Sequence, residues 1–287
     1  MATRRGSPTL RRRQLGMELR RLREAAGVTI DHVAERLECS SSKISWIETG
    51  QTGVTPRDVR DMLSIYGVDL DYAEALLQIA REARQKGWWQ LYGDVLTGAY
   101  VGLEAAADRI RTYEALVVPG LLQTEGYAQA MIHAARPDIS SSEVEKRVRV
   151  RMGRQSLFTQ DDPLDLWVVL DEAVLRRPVG GAEVMSRQLE HLATMAELPN
   201  VTLQVLPFAA GAHAGMDGTF TILLYDESAN QNFVFAANAA GGLFLEKDDE
   251  LQRYEFIFDY LRANALRPDE SISMIVKLAK ERYGNPC

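Results

Sequence analysis

The chain has 287 residues, 46% of them hydrophobic and 25% charged, enough for two domains of roughly 100–200 residues with buried cores. This excludes collagen-like, wholly disordered and disulfide-framework classes; no uncharged apolar run reaches the ~18–20 residues of a membrane span, and the Arg-rich start lacks an apolar signal core. Two cysteines, Cys39 and Cys287, and four scattered histidines lead us to expect a cytoplasmic protein without metal or other cofactor. The formal charge of −7 is split: residues 1–70 carry 12 Lys+Arg against 9 Asp+Glu, and the remainder 21 against 31. A nucleic-acid partner for the first part is therefore compatible with an acidic whole.

Residues 1–13 read as a basic arm, because Arg4, Arg5, Arg11, Arg12 and Arg13 have no acidic neighbour. Such an arm either neutralises phosphates or is a solvated tail of no consequence. Leu15, Leu19 and Leu22 at helical spacing predict a first helix over 10–26, stopped by Gly27. Thr29 caps a second helix through Leu37, with Val33, Ala34 and Leu37 on one face. Among Ser40, Ser41 and Ser42, Ser40 fits best as the cap of a third helix, which carries Ile44 and Ile47 and ends near Gly50. Pro56 after Thr55 opens a fourth helix that buries Val59, Met62 and Leu63.

The spacing Val33-Ala34-x-x-Leu37-x-Cys39-x-x-x-x-Ile44-x-x-Ile47-Glu48 resembles the helix-turn-helix of Cro/cI-like, xenobiotic-response-element (XRE) regulators. Ala34 is small where two helices cross closely, and Leu37, Cys39, Ile44 and Ile47 fill the wedge between them, leaving a polar outer face for the major groove. The resemblance implies double-stranded DNA as partner, read by Ser40, Ser41, Ser42, Lys43, Ser45 and Trp46 of the third helix. Thr52 and Arg57 beside the fourth helix, with Arg11, Arg12 and Arg13, are candidate phosphate contacts. Glu48 matches the family's internal carboxylate and Arg23 its arginine partner. Three positions depart from the pattern: Ile30 replaces a phosphate-gripping glutamine, Trp46 takes a slot usually polar or basic, and Glu38 replaces the glycine of the turn. A left-handed backbone at a non-glycine residue costs about 1 kcal/mol.

The helix-turn-helix domain is thus placed at 14–68, followed by a linking helix and aromatic junction over 69–102. Leu70, Ala73, Leu76, Leu77, Ile79 and Ala80 mark that helix; Trp88, Trp89 and Tyr92 follow, either packed at the junction or forming a ligand cage. From 103 to 287 the texture is α+β. Strands fit 109–113, 166–170, 201–206, 219–224, 233–236 and 243–246; the segment 118–124 turns into a helix bearing Tyr127, Ala128 and Met131, and further helices fit 141–159, 182–196, 248–264 and 269–281. Asn238-Ala-Ala-Gly-Gly242 reads as a hairpin turn. The fold class is an all-α helix-turn-helix domain followed by an α+β domain.

Arg111-Thr-Tyr-Glu114, Val118-Pro-Gly-Leu-Leu-Gln-Thr124, Arg151-x-x-Arg154-Gln155, Leu170-Asp-Glu-Ala-Val-Leu175, Leu206-Pro-Phe208, Gly218-Thr-Phe-Thr-Ile222 and Phe244-x-Glu246 occur in that order. This order resembles the actinobacterial WhiJ-like regulators. The resemblance implies a small partner protein encoded nearby, in an arrangement likened to toxin and antitoxin, and carries no catalytic residues. His213, in Gly211-Ala-His-Ala-Gly215-Met-Asp217-Gly218, is either an acid–base partner of Asp217 or part of a plain connection between strands. No GxSxG, HExxH, Walker A or GxGxxG pattern occurs, so catalysis is not expected. Leu251, Tyr254, Phe256, Ile257, Phe258, Tyr260 and Leu261 exceed one buried stripe, so part of their helix faces either the core alone or another subunit or partner. The resulting expectation is a regulator, homodimeric on a two-fold operator. A small-molecule effector or a protein would control it, with Trp88, Trp89, His213, Tyr254 and Phe258 as candidate ligand- or partner-binding residues. The alternatives are an antitoxin-like protein acting through its partner and an enzyme-like sensor tethered to a DNA-binding module.

Overall fold

The computed structural model describes residues 8–83, 98–225, 232–238 and 241–283. The described residues up to 106 belong to one compact unit and those from 107 onward to another.

The first unit is helical: α1 (Pro8–Ala25), α2 (Ile30–Arg36), α3 (Ser41–Glu48), α4 (Pro56–Tyr66), α5 (Leu70–Glu82) and α6 (Gly98–Ala106). Local chemistry sets the boundaries. The side chains of Thr29, Ser40 and Thr55 each accept a hydrogen bond from the backbone N–H three residues on, opening α2, α3 and α4. Gly27 and Gly67, both in the left-handed region, end α1 and α4. Leu15, Leu19, Val33, Ala34, Ile44, Ile47, Val59, Met62 and Leu63 form one buried core, as their spacing predicts. Gly16 faces the carbonyls of Ile47 and Glu48 with no room for a Cβ, so α1 and α3 meet backbone to backbone there.

Two expectations are corrected. The helix beginning at residue 70 is not a linker: Leu76, Leu77 and Ala80 of α5 lie in the same core as α1 and α4, whereas Leu70 is 87% exposed. The basic arm is shorter than 1–13, because α1 starts at Pro8 and takes Arg11, Arg12 and Arg13 into a helix, where each is half-buried. Arg4 and Arg5 lie outside the described residues. The α6 segment, which carries the buried Val101, Leu103 and Ala106, had no clear signal in the sequence.

The second unit is built on a six-stranded sheet of order β3-β2-β1-β4-β5-β6. Its elements in chain order are β1 (Arg109–Glu114), α7 (Glu125–Ala135), α8 (Ser141–Gly153), β2 (Asp165–Asp171), α9 (Glu172–Arg176), α10 (Ala182–Met195), β3 (Val201–Leu206), β4 (Phe220–Leu224), β5 (Phe233–Asn238), β6 (Gly241–Leu245), α11 (Asp248–Asn264) and α12 (Pro268–Leu278). Strands β1, β2 and β3 run parallel, joined by helical crossovers, and β4, β5 and β6 continue antiparallel. The unbroken burial of Leu166, Val168, Val169 and Leu170 in β2 is what a parallel strand covered on both faces requires. Helix α11 packs on the sheet through Phe258 and Leu261, against Tyr113, Val169, Phe220 and Val234. The β5–β6 pairing continues to Asn238 opposite Gly241, so Asn238, Gly241 and Gly242 of the expected 238–242 turn belong to the strands, and residues 239–240 lie outside the described residues. Buried polar groups are satisfied across elements: Gln204 accepts from Trp167 Nε1 at 2.9 Å and donates to the Leu266 carbonyl at 2.9 Å.

Candidate nucleic-acid interface and the cavity of the second unit

The outward helix α3 is held from behind. The wedge of Val33, Ala34, Ile44 and Ile47 is fully buried. Behind it, the Arg23 guanidinium donates to both carboxylate oxygens of Glu48, at 2.6 and 2.9 Å, and to the Val28 carbonyl at 3.0 Å. Only 8% of Arg23 and 4% of Glu48 is exposed, so one fork ties the ends of α1 and α3 to the entry of α2. The expected ion pair is present. Glu38 is the one non-glycine residue with positive φ, 51°, among the described residues, and it stands in the turn between α2 and α3.

The outer face sorts the expected readers. Ser42 and Trp46 project freely, with Trp46 51% exposed. The Ser40 side chain caps α3 by accepting from the Lys43 N–H. Ser41 donates its hydroxyl hydrogen bond to Asp31 of α2, and Lys43 Nζ lies 3.5 Å from Asp58. Ser45 is half-buried, its carbonyl accepting from Thr49 Oγ1 at 2.9 Å. The Thr52 N–H donates to the Trp46 carbonyl, folding the loop back onto α3. Arg57 is exposed on the first turn of α4. Arg13 packs against Gly50 at the end of α3, and Arg12 Nε is buried without a hydrogen-bond partner among the described residues. These arginines are therefore framework side chains at least in part. Asp31, which accepts from Ser41, is exposed, as are Glu35 of α2 and Glu38 of the turn. Ser42, Trp46, Lys43 and Arg57 remain as the outward polar and aromatic set.

In the second unit, His213 does not pair with Asp217, one of the two readings its loop allowed. His213 Nδ1 accepts from the Gly215 N–H at 3.2 Å, and Nε2 lies 3.8 Å from Asp171 Oδ2 at the end of β2. The same oxygen accepts from the Tyr113 hydroxyl at 3.4 Å, and the Tyr113 ring meets His213 edge-on. Asp171 Oδ1 in turn caps α9. Burial, with the nearby Asp171 charge, pushes the Tyr113 hydroxyl pKa up. Phe258 is no ligand contact: it is fully buried, edge-on to Trp167. Tyr254 is half-buried, edge-on to Phe220, and lines a cavity of about 310 Å³ together with Asp217, Gly218, Thr219, Glu250 and Arg253. Trp88 and Trp89 lie outside the described residues.

Two features were missed by the sequence reading. Burial pushes the Glu114 carboxyl, at the end of β1, up to about 8, against hydrogen bonds from Thr112 and Thr219. Gln123 and Gln188, both buried, bind the backbone of the 118–124 segment, and Arg151 donates to Gln123 Oε1 at 2.8 Å. The first has no signal in the sequence, since Glu114 closes a strand, Arg109–Glu114, that is largely polar. The second is spread over residues too far apart in sequence to be paired by spacing. Among the described residues, no group of three His, Cys, Asp or Glu could hold a metal ion, and no helix is long and apolar enough to cross a membrane.

A short capped helix presented outward from a helical core, behind a turn that joins it to a supporting helix, defines a helix-turn-helix DNA-binding domain. The helix-turn-helix domain family model matches residues 14–76, and the model described as domain of unknown function (DUF5753) matches residues 97–277. The chain belongs to the DUF5753 family. No curated protein and no solved structure matches it.

Proposed function

We propose that this chain is a cytoplasmic transcriptional regulator of the XRE (Cro/cI-like), WhiJ-like type. It binds a two-fold operator as a homodimer, and its second unit carries no catalysis and serves control by a small-molecule effector or a small partner protein. The observation that carries this reading is the outward α3, with Ser42 and Trp46 exposed and its rear fixed by Arg23 and Glu48. Anchored helices of this kind place side chains on base edges only where the scaffold is rigid. The non-catalytic reading rests on the lack of a recognised catalytic motif and on His213 facing Asp171 instead of Asp217. Selection of binding sites from random duplex DNA by the full chain tests the proposal. A shared two-fold motif that Ser42→Ala with Trp46→Ala abolishes is the expected result; no enrichment would overturn it.

One observation favours the antitoxin-like alternative. On α11, Phe256 is 69% and Tyr260 46% exposed, one turn apart, a placement that suits a protein contact. If partner capture persists in a protein that selects no DNA, that alternative replaces the regulator.

A further inference from the structure

We propose that the cavity between the 214–219 loop and α11 binds a small zwitterion with an apolar side chain, of the α-amino-acid kind. This deepens the ligand-control reading and rests on it only for its regulatory meaning.

Four residues of α11 line the cavity: Glu250, Arg253, Tyr254 and Ile257. Their spacing is that of one helical face, which in a helix packed on a sheet is ordinarily apolar. Here its first turn and a half carries a carboxylate and a guanidinium beside a space lined on β5 by Ala236, on the same sheet face as the buried Val234 and too short to fill it. Asp217 stands on the loop wall. Neither the Asp217 nor the Arg253 side chain makes a hydrogen bond or ion pair with any described residue, and one Glu250 oxygen accepts only from the Lys247 N–H. Opposite charges thus line one cavity without neutralising each other.

The charge balance chooses the ligand. Two carboxylates against one guanidinium oppose a phosphate or dicarboxylate and favour a molecule with one anionic and one cationic group. Its carboxylate would meet Arg253 and its ammonium Asp217 or Glu250. The edge-to-face pair of Phe220 and Tyr254, 4.9 Å between ring centres, and Ile257 offer the apolar contact. A volume of about 310 Å³ is at the small end for ligand sites. The loop wall is preorganised: Gly215 sits against the Tyr113 ring and Leu261 where a Cβ would clash, and Gly218 has φ +127°.

The test is titration calorimetry and thermal shift of the full chain with the proteinogenic amino acids at millimolar concentration, each compared with its N-acetyl and carboxamide forms. At least one apolar amino acid is expected to bind, with each blocked form about tenfold weaker. Arg253→Gln and Asp217→Asn, both at exposed positions, are expected to weaken it about tenfold while leaving the melting temperature of the free protein unchanged. No binding by any amino acid, or binding indifferent to both substitutions, overturns the site. DNA binding is measured separately by gel retardation, so loss of the regulator reading is visible independently of ligand binding.

Discussion

Glu48 accepts both arms of the Arg23 guanidinium across 25 residues of sequence, with almost no water reaching either side chain. Removing one partner strands a charge in the core. We expect Glu48→Ala to destabilise the first unit by about 3–5 kcal/mol, seen in urea melts, and to abolish DNA retardation. The double variant Arg23→Met with Glu48→Leu should recover much of that stability, because apolar groups of similar size leave no unpaired charge.

At φ 51°, Glu38 holds a backbone conformation that glycine adopts without steric cost. Glu38→Gly is expected to raise stability by about 1 kcal/mol, while Glu38→Gln, which keeps the Cβ, should leave it unchanged. Thermal melts of the two variants separate backbone strain from charge.

Lys43 and Asp58 form an ion pair that is partly exposed to solvent. If DNA phosphate displaces Asp58, Lys43→Ala should flatten the salt dependence of operator binding by about one unit of slope. Asp58→Asn, with the Thr55 cap intact, should tighten binding at low salt. Unchanged slope and affinity for Lys43→Ala would remove that lysine from the interface.

The Glu114 carboxyl is raised from 4.5 to about 8 by burial. A raised acid stabilises the fold while protonated, so its contribution is complete below pH 4.5 and is lost as pH rises through about 8. Glu114→Gln keeps the shape without the titration. We expect it to be more stable than the native chain at pH 8 by about 4 kcal/mol at most, with the difference vanishing at pH 4.

The helices α2, α3 and α4 were legible because a cap, a proline or a left-handed glycine acts within a few residues of itself: Thr29, Ser40, Thr55 and Gly67 perform locally what their types imply. The strands were legible for the same reason, since alternation or continuity of apolar residues is a local property. The Arg23–Glu48 pair was reachable only through resemblance to a known pattern, because nothing in the intervening residues points from one to the other. Side-chain destination was not legible. Phe256 and Phe258 differ by two positions on α11, yet one faces solvent and the other fills the core against Trp167, a contact made 91 residues away in the chain.

By itself, then, the order of residues determined which segments become helices and strands, where they stop, and that a helix-turn-helix precedes a mixed domain. Tertiary structure alone decided that α5 belongs to the first core, that His213 faces Asp171 and not its neighbour Asp217, and that Asp217 and Arg253 look into one cavity. The physical reason is range. Hydrogen bonds of caps and turns close over three or four residues, whereas packing and charge pairing depend on sheet order and crossover, which no short stretch of chain encodes.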